Sequence, residues 1–454
     1  MELLQAIRLS NLNRLALVGA GGKTTAMFQI AQEYIESGIR TVILTTSTHL
    51  AVAQLDQADD HFEVRTLEML ADLAEHLPPG MVILTGPRNE NDRVGGLNEM
   101  LIDEVRKLAD HSQSPLLIEA DGSRTRPLKA PTEHEPAIPR WVDTVLVVAG
   151  LSGLGKPLSE EWVHRAEIYS RLAGLEPGAP VTLEGMKRVL TSKNGGLKNI
   201  PAKARRVALL NQADNAALKA AGARLAEQLL AGGYSAGLTA ELAMPDGTWK
   251  IKEERVFTVV EPVAGIVLAA GGSNRLGRPK QLLEWHGEAM VRKVALTALD
   301  AGLSPVIVVI GAYREEVQAV LANLPVDLIY NPDWMSGQST SLAAGLRGLP
   351  NDAGAAIFLL ADQPQAPATL ARSLVERHTE TLAPIIVPLV DGQRGNPVLF
   401  DRQTFPDLLE LQGDTGGRAL FSRYPVAWLP WHDARLLLDI DTPEDYQSLL
   451  ESES

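Results

Sequence analysis

Residues 266–281 read Ile-Val-Leu-Ala-Ala-Gly-Gly-Ser-Asn-Arg-Leu-Gly-Arg-Pro-Lys-Gln. An apolar run of strand character passes straight into a glycine-rich loop that carries Arg275, Arg278 and Lys280. Glycines at 271, 272 and 277 allow positive φ and bring backbone N–H groups close to an anion, while fixed cations neutralise a polyphosphate. A glycine pair after a strand also makes an ordinary turn, so the loop takes its meaning from what surrounds it. In an open α/β sheet the ligand lies beyond the carboxyl ends of the strands, and that is where the other informative loops should be sought.

Working outward, strand-like runs at Gly265–Ala270, Pro305–Gly311, Val326–Tyr330, Ala355–Ala361 and Pro384–Val390 alternate with helical stretches at Met290–Ala301, Arg314–Ala322, Thr340–Leu346 and Ala368–His378. An earlier series has the same rhythm: strands at Arg14–Gly19, Thr41–Thr46, Met81–Thr85, Pro115–Ala120, Thr144–Ala149 and Arg206–Asn211, with helices at Thr24–Ser37, Glu68–His76, Leu97–Ala109 and Asn215–Ala231. Alternation of this kind is the pattern of a parallel sheet covered on both faces. The expected fold is therefore α/β in two domains. A P-loop-like parallel sheet spans residues 1–243, a junction 244–261, and a Rossmann-like nucleotide-handling sheet 262–454.

The bulk composition fits. A chain of 454 residues exceeds one ordinary core, and 45% hydrophobic with 22% charged residues is globular. No apolar run reaches the roughly 18 residues of a membrane helix, there are no cysteines, and the first residues lack signal-peptide character. A cytoplasmic protein without membrane partners is expected. The net charge of −14 argues against nucleic-acid binding, so any anionic ligand requires a local pocket.

Three further strand-end loops complete the first one. Leu359-Leu-Ala-Asp-Gln-Pro364 places Asp362 where a carboxylate holds Mg²⁺ against nucleotide phosphates. Gly395-Asn-Pro-Val-Leu-Phe400 is the next, and Leu438-Asp-Ile-Asp-Thr-Pro-Glu-Asp445 puts Asp439 and Asp441 two apart, on one face of an extended segment. Strand-end aspartates also serve as helix caps, and Thr442-Pro-Glu-Asp is itself a good helix start. Together these loops make up a nucleotidyl-transfer site.

The segment Leu268-Ala-Ala-Gly-Gly-Ser-Asn-Arg-Leu-Gly-Arg-Pro-Lys280 resembles the signature of the MobA-like nucleotidyltransferases, with Leu276 where the signature has methionine. Ser336-Gly-Gln-Ser-Thr-Ser-Leu342, Arg394-Gly-Asn-Pro397, Gly413-Asp-Thr-Gly-Gly-Arg418 and Asp439-Ile-Asp-Thr-Pro-Glu-Asp445 extend the resemblance over about residues 262–450. Ala270 in the first motif is similar to the molybdenum cofactor cytidylyltransferase branch, which implies CTP rather than GTP. The resemblance implies that a molybdopterin phosphate attacks the α-phosphorus of CTP and releases pyrophosphate. It assigns Arg275 and Lys280 to the triphosphate, and Leu268, Ala270, Gly271 and Gly272 to nucleotide contacts. Asp362 with Asp439 or Asp441 would hold Mg²⁺. Ser339 and Ser341 would meet the base or ribose, although helix capping explains them too.

In the first half, Leu17-Val-Gly-Ala-Gly-Gly-Lys-Thr-Thr25 follows a strand and opens a helix, the context of a phosphate-binding loop. Leu17 stands where the strict spacing needs glycine. Gly19, Gly21, Gly22 and Thr25 would cradle phosphates of ATP or GTP, Lys23 would reach the β- and γ-phosphates, and Thr24 would bind Mg²⁺. Leu116-Leu-Ile-Glu-Ala-Asp-Gly122 offers Glu119 and Asp121 as metal carboxylates. Leu210-Asn-Gln-Ala-Asp214 resembles a guanine-reading motif with Gln212 in the lysine position, and Asp214 is equally a helix cap.

Residues 120–136, Gly153–Pro157 and Val163–Arg165 resemble the accessory proteins of selenium-dependent molybdenum hydroxylases, over about residues 5–240. The resemblance implies a client molybdenum hydroxylase. Arg124, Arg126, Lys129 and Lys156 are a candidate anion pocket, and His49, His134 and His164 candidate bases or ligands. Two other readings stay open for the whole chain: a nucleotidyltransferase using GTP or a sugar phosphate, and a non-catalytic chaperone delivering finished cofactor.

Overall fold

The fold is that of a computed structural model, which describes all residues except 11, 90–91, 243–255, 273–278, 441 and 452–454. Two compact units divide the chain, Met1–Val260 and Glu261–Ser454. Among the described residues no helix is long and apolar enough to cross a membrane.

The first unit is built on nine strands: β1 (Arg14–Gly19), β2 (Thr41–Thr46), β3 (Asp60–Glu63), β4 (Gly80–Thr85), β5 (Leu116–Glu119), β6 (Thr144–Gly150), β7 (Arg205–Asn211), β8 (Ala236–Ala240) and β9 (Val256–Val260). They lie in the order β9-β8-β7-β6-β1-β5-β2-β4-β3, all parallel except the β8–β9 pair. Every residue of β2 and β6 is buried. Parallel strands covered on both faces need apolar side chains on both, so they stand out in sequence as continuous Val/Ile/Leu runs. The chain leaves β1 for β2 on one side and later crosses from β5 to β6 on the other. Strand order therefore reverses around β1, and the loop between β1 and helix α1 (Lys23–Glu36) opens at that reversal.

The second unit repeats the principle with β10 (Val263–Ala269), β11 (Val306–Ile310), β12 (Asp327–Tyr330), β13 (Ala355–Leu360), β14 (Ile385–Val390), β15 (Gln393–Arg394), β16 (Val398–Asp401) and β17 (Val426–Pro430). The order is β12-β11-β10-β13-β16-β14-β15, with β17 beside β14. β10 to β13 are parallel, and β16 is inserted antiparallel between β13 and β14. Successive residues of β10 face opposite cores: Ile266 packs with Leu342 and Leu346, Val267 with Leu370 and Leu374. Strand order reverses between β10 and β13, which brings the loops after residues 269 and 360 side by side.

The continuous apolar strands lie within a residue or two of the expected positions. Residues 256–260, read as the end of the junction, are instead the antiparallel edge strand of the first sheet. β3, β8, β15, β16 and β17 are additions. β8 is Ala-Gly-Leu-Thr-Ala because a helix, α2 (Ala216–Ala231), lies directly on it; a Cβ on Gly237 would stand 2.6 Å from the Ala226 methyl.

A buried pair fixes helix α4 (Ala368–Thr381) to β16: His378 Nε2 lies 2.7 Å from Asp401 Oδ2, with both residues at 1% exposure or less. (Helix α3, Gln338–Arg347, precedes it.) Removing one member of such a pair strands the other without solvent. Asp401→Ala is expected to lower the unfolding free energy by about 3 kcal/mol in urea titration; a change within the fitting error would contradict this packing role.

Candidate functional site

In the second unit, Lys280 begins a single 3₁₀ turn (Lys280–Leu282), and its Nζ lies 3.8 Å from Asp362 Oδ2 at the end of β13. Gln281 Nε2 donates to the carbonyl of Gly271 at 3.0 Å, drawing the two ends of the glycine loop together. Gly271 does not take a positive φ, contrary to expectation. Ala270 is buried and its carbonyl accepts from the Ala312 N–H at 3.0 Å. Gly272 is half-buried. Arg275, and with it Gly277 and Arg278, lies outside the described residues, as does Asp441.

Beside these loops is a cleft of ≈ 490 Å³. Its floor is apolar, from Leu268, Phe358, Leu360 and Val387, and its rim carries Arg394, Asn396, Asp414, Arg418 and Asp439. The motifs at 394–397 and 413–418 thus converge from distant parts of the chain. Asp439 is exposed and linked to the neighbour of Asp362: Gln363 Nε2 donates to Asp439 Oδ1 at 2.6 Å.

Ser339 and Ser341 behave otherwise than expected. Both are buried, at 2% and 7% exposure. Ser339 Oγ donates to the Gly413 carbonyl at 2.8 Å, and Ser341 Oγ accepts from Asn331 Nδ2 at 3.0 Å. The N-cap of α3 is Gly337, so capping is not their role either. Ser339 ties α3 to the loop at 413–418 that edges the cleft, and Ser341 ties it to Asn331 just after β12, instead of facing a base or ribose.

In the first unit the loop after β1 is held from three sides. Gly19 has φ +97°, and a Cβ there would lie 2.1 Å from the Val148 carbonyl oxygen; Gly22 has φ +123°, with the Asn211 amide 2.3 Å from the same position. Only glycine meets both demands. Asn211, wholly buried at the end of β7, donates to the Gly21 carbonyl at 2.8 Å and accepts from the Leu242 N–H at 2.7 Å. The first residue of the guanine-like motif therefore braces the glycine loop after β1. Asp214 is exposed and accepts from Asn215 Nδ2, and the side-chain cap of α2 comes from Asn215.

Lys23 is 3% exposed. Its ammonium donates to the Gly19 carbonyl at 2.8 Å and stands 3.3 Å from Asp121 and 3.6 Å from Glu119. Thr24 Oγ1 donates to Glu119 Oε2 at 2.8 Å. The carboxylate placed with the Thr24 hydroxyl is thus Glu119, whereas the expected metal residue, Asp121, accepts from the Gly19 N–H with both oxygens at 3.1 Å. Thr25 is half-buried in the same helical turn. Burial pushes the Glu119 carboxyl up, against the pull of the Lys23 ammonium and the Thr24 hydroxyl.

The charge network continues away from the loop. Lys129 Nζ spends its donors on Asp121 (2.7 Å), the Gly122 carbonyl (2.8 Å) and Glu135 (3.1 Å), and Arg165 grips both oxygens of Glu135. Lys156 stacks on Trp162, and Arg126 donates to the Glu160 carbonyl. The expected anion pocket of Arg124, Arg126, Lys129 and Lys156 is therefore largely committed to internal partners. His164 is buried beside Lys129, and burial with the nearby cations pushes its pKa down, so it is neutral at pH 7. His49 and His134 are exposed, and the described residues contain no cluster of three metal-capable side chains.

Sequence reasoning named Glu119 and Lys129 without their partners, and it missed Asn211, Gln363 and Glu135 as site-building groups.

The family described as YqeC protein matches residues 15–167, and the family described as MobA-like NTP transferase domain matches residues 265–428. An uncharacterized protein YqeC of Escherichia coli (strain K12) is 34% identical over 44% of this chain and 75% of its own length. Nicotine blue oxidoreductase of Paenarthrobacter nicotinovorans is 34% identical over 41% of this chain and 96% of its own. Molybdenum cofactor cytidylyltransferase of Escherichia coli (strain K12) is 27% identical, over 40% and 92%.

The Glu135 contacts set a pH signature. Burial opposes ionisation, but the Arg165 and Lys129 hydrogen bonds overcome it and lower the carboxyl from 4.5 to about 2. A depressed pKa contributes stability that is complete above the unfolded value and lost as pH falls through the folded one. Glu135→Gln is expected to cost about 2 kcal/mol at pH 7, with the difference from wild type shrinking between pH 4.5 and 2 in urea titrations. A difference that stays constant over that window would contradict the assignment.

Proposed function

Because the chain belongs to the YqeC family in its first half and to the MobA-like NTP transferases in its second, we propose that it matures molybdenum cofactor, transferring CMP from CTP onto the phosphate of molybdenum-loaded molybdopterin. An acceptor phosphate oxygen attacks the α-phosphorus of CTP, the bond from that phosphorus to the bridging oxygen breaks, and pyrophosphate leaves with the electron pair. The observation that carries this reading is the Lys280–Asp362 pair, 3.8 Å apart at the reversal of strand order and beside the cleft.

Lys280 neutralises charge on the departing pyrophosphate, with Arg275 assigned the same role from its motif. Gly271 and Gly272 supply backbone donors, and Ala270 favours CTP through the resemblance of its motif. Arg394 and Arg418 on the rim suit the acceptor phosphate, and the apolar floor suits a flat heterocycle. Catalysis of this kind rests on positioning and charge stabilisation. Asp362 and Asp439, with Asp441 from the same motif, fit Mg²⁺, because that ion takes one or two carboxylates and completes its shell with water and phosphate oxygens. When bound it would neutralise the phosphates undergoing transfer.

The 34% identity to a protein named an oxidoreductase favours a second reading, reduction of an aromatic heterocycle in the same cleft. That reading predicts consumption of a reductant with no pyrophosphate. Asp362→Ala is expected to reduce pyrophosphate release from CTP at least 100-fold while leaving the thermal midpoint in place; retained turnover would remove Asp362 from the mechanism.

For the first unit we propose a nucleotide-binding accessory role toward a client molybdenum hydroxylase. Lys23 would exchange its internal carboxylate contacts for the β- and γ-phosphates of ATP or GTP, with Thr24 and Glu119 toward Mg²⁺ and Asp214 toward the base. Lys23→Ala is expected to abolish nucleotide binding in calorimetry. Unchanged affinity would mean that the loop is a structural turn.

A further inference from the structure

Two glutamines beside Asp362 make contacts that packing does not demand. Gln363 is 5% exposed, and only its amide N–H can face the Asp439 carboxylate, 2.6 Å away. Its Oε1 is buried with no hydrogen-bond partner among the described residues. Gln365, 9% exposed, donates through Nε2 to the Leu438 carbonyl at 2.8 Å, and its Oε1 is likewise unpartnered. Two amides from one loop thus reach two consecutive residues more than seventy positions away. Each leaves a buried acceptor unsatisfied, a burden an apolar side chain of the same shape would avoid.

We propose that Gln363 and Gln365 are positioning residues that clip the Leu438–Asp439 segment onto the loop carrying Asp362, so that the two carboxylates present themselves together to a divalent cation. This rests on the transfer reading above and specifies how its cation site is assembled. Gln363 holds Oδ1 of Asp439 through a neutral donor. A lysine in its place would cancel the charge of the carboxylate, whereas an amide orients it and leaves the charge intact. Gln365 fixes the backbone one residue earlier, which limits rotation of the segment. Hydrogen bonds of this kind around a ligating carboxylate are worth 10–100-fold in metal affinity by general experience.

The test uses the full chain with Gln363→Met, Gln365→Met and Gln363→Glu, the last keeping the volume but replacing the donor by an acceptor. Mn²⁺ binding followed by electron paramagnetic resonance, without acceptor, gives the readout independent of turnover. Gln363→Met and Gln363→Glu are expected to weaken Mn²⁺ binding roughly 10–100-fold, and Gln365→Met to weaken it less. Thermal midpoints of the methionine variants should be unchanged or higher, because an unsatisfied acceptor is removed. Saturating Mg²⁺ should restore pyrophosphate release with the wild-type KM for CTP.

Wild-type Mn²⁺ affinity in both Gln363 variants, in a chain whose Asp439→Ala variant loses the ion, overturns the clip alone. A fall in thermal midpoint that tracks the loss of affinity overturns it too, by making the glutamines structural. Failure of the wild-type chain to bind Mn²⁺ at all overturns the clip together with the transfer reading.

Discussion

Parallel hydrogen bonding of β10 to both β11 and β13 determines where chemistry can occur in the second unit. Because all three strands point the same way, the loops that leave β10 and β13 emerge at one edge, and because the chain departs from β10 in opposite directions they part instead of colliding. Lys280 and Asp362, 82 residues apart by number, meet in the crevice that results. In the first unit, β1 stands between β5 and β6 under the same rule, and it brings Lys23, Glu119 and Asp121 together.

The two crevices are finished differently. The first is filled from within: its lysine is buried and answered by two carboxylates, and its loop is pressed against Val148 and Asn211. Buried charges of both signs keep one another in place at the expense of solvation, so such a cluster favours one arrangement and resists partial rearrangement. The second is open, with arginines and aspartates around an apolar floor and an Asp439 carboxylate turned toward solvent. The charges there are unburied, whereas those of the first unit already answer one another.

What was legible in the sequence follows from the same physics. Strands buried on both faces are written as continuous Val/Ile/Leu runs, so β1, β6, β10 and β13 could be placed to within a residue or two, and the strand-end carboxylates with them. β3, Asp-His-Phe-Glu at a sheet edge, has no such run; β8 uses small residues because a helix lies on it. Glycine loops and terminal acids are local patterns. The Gln363–Asp439, Lys129–Glu135 and Asn211–Gly21 contacts are not, because each depends on side-chain directions set by tertiary packing between residues remote in the chain. Ser339 and Ser341 sat in a matching motif yet turn inward, since a motif fixes residue type and not the partner a hydroxyl finds.

The proposed reaction joins a cytidine nucleotide to a molybdopterin phosphate in the cleft. Mass spectrometry of the products formed from molybdenum-loaded molybdopterin with Mg²⁺ and equal CTP and GTP tests it directly. The expected product is the cytosine dinucleotide, with one pyrophosphate released for each molecule formed. A guanine dinucleotide as the main species, or a reduced heterocycle with no pyrophosphate, would contradict it.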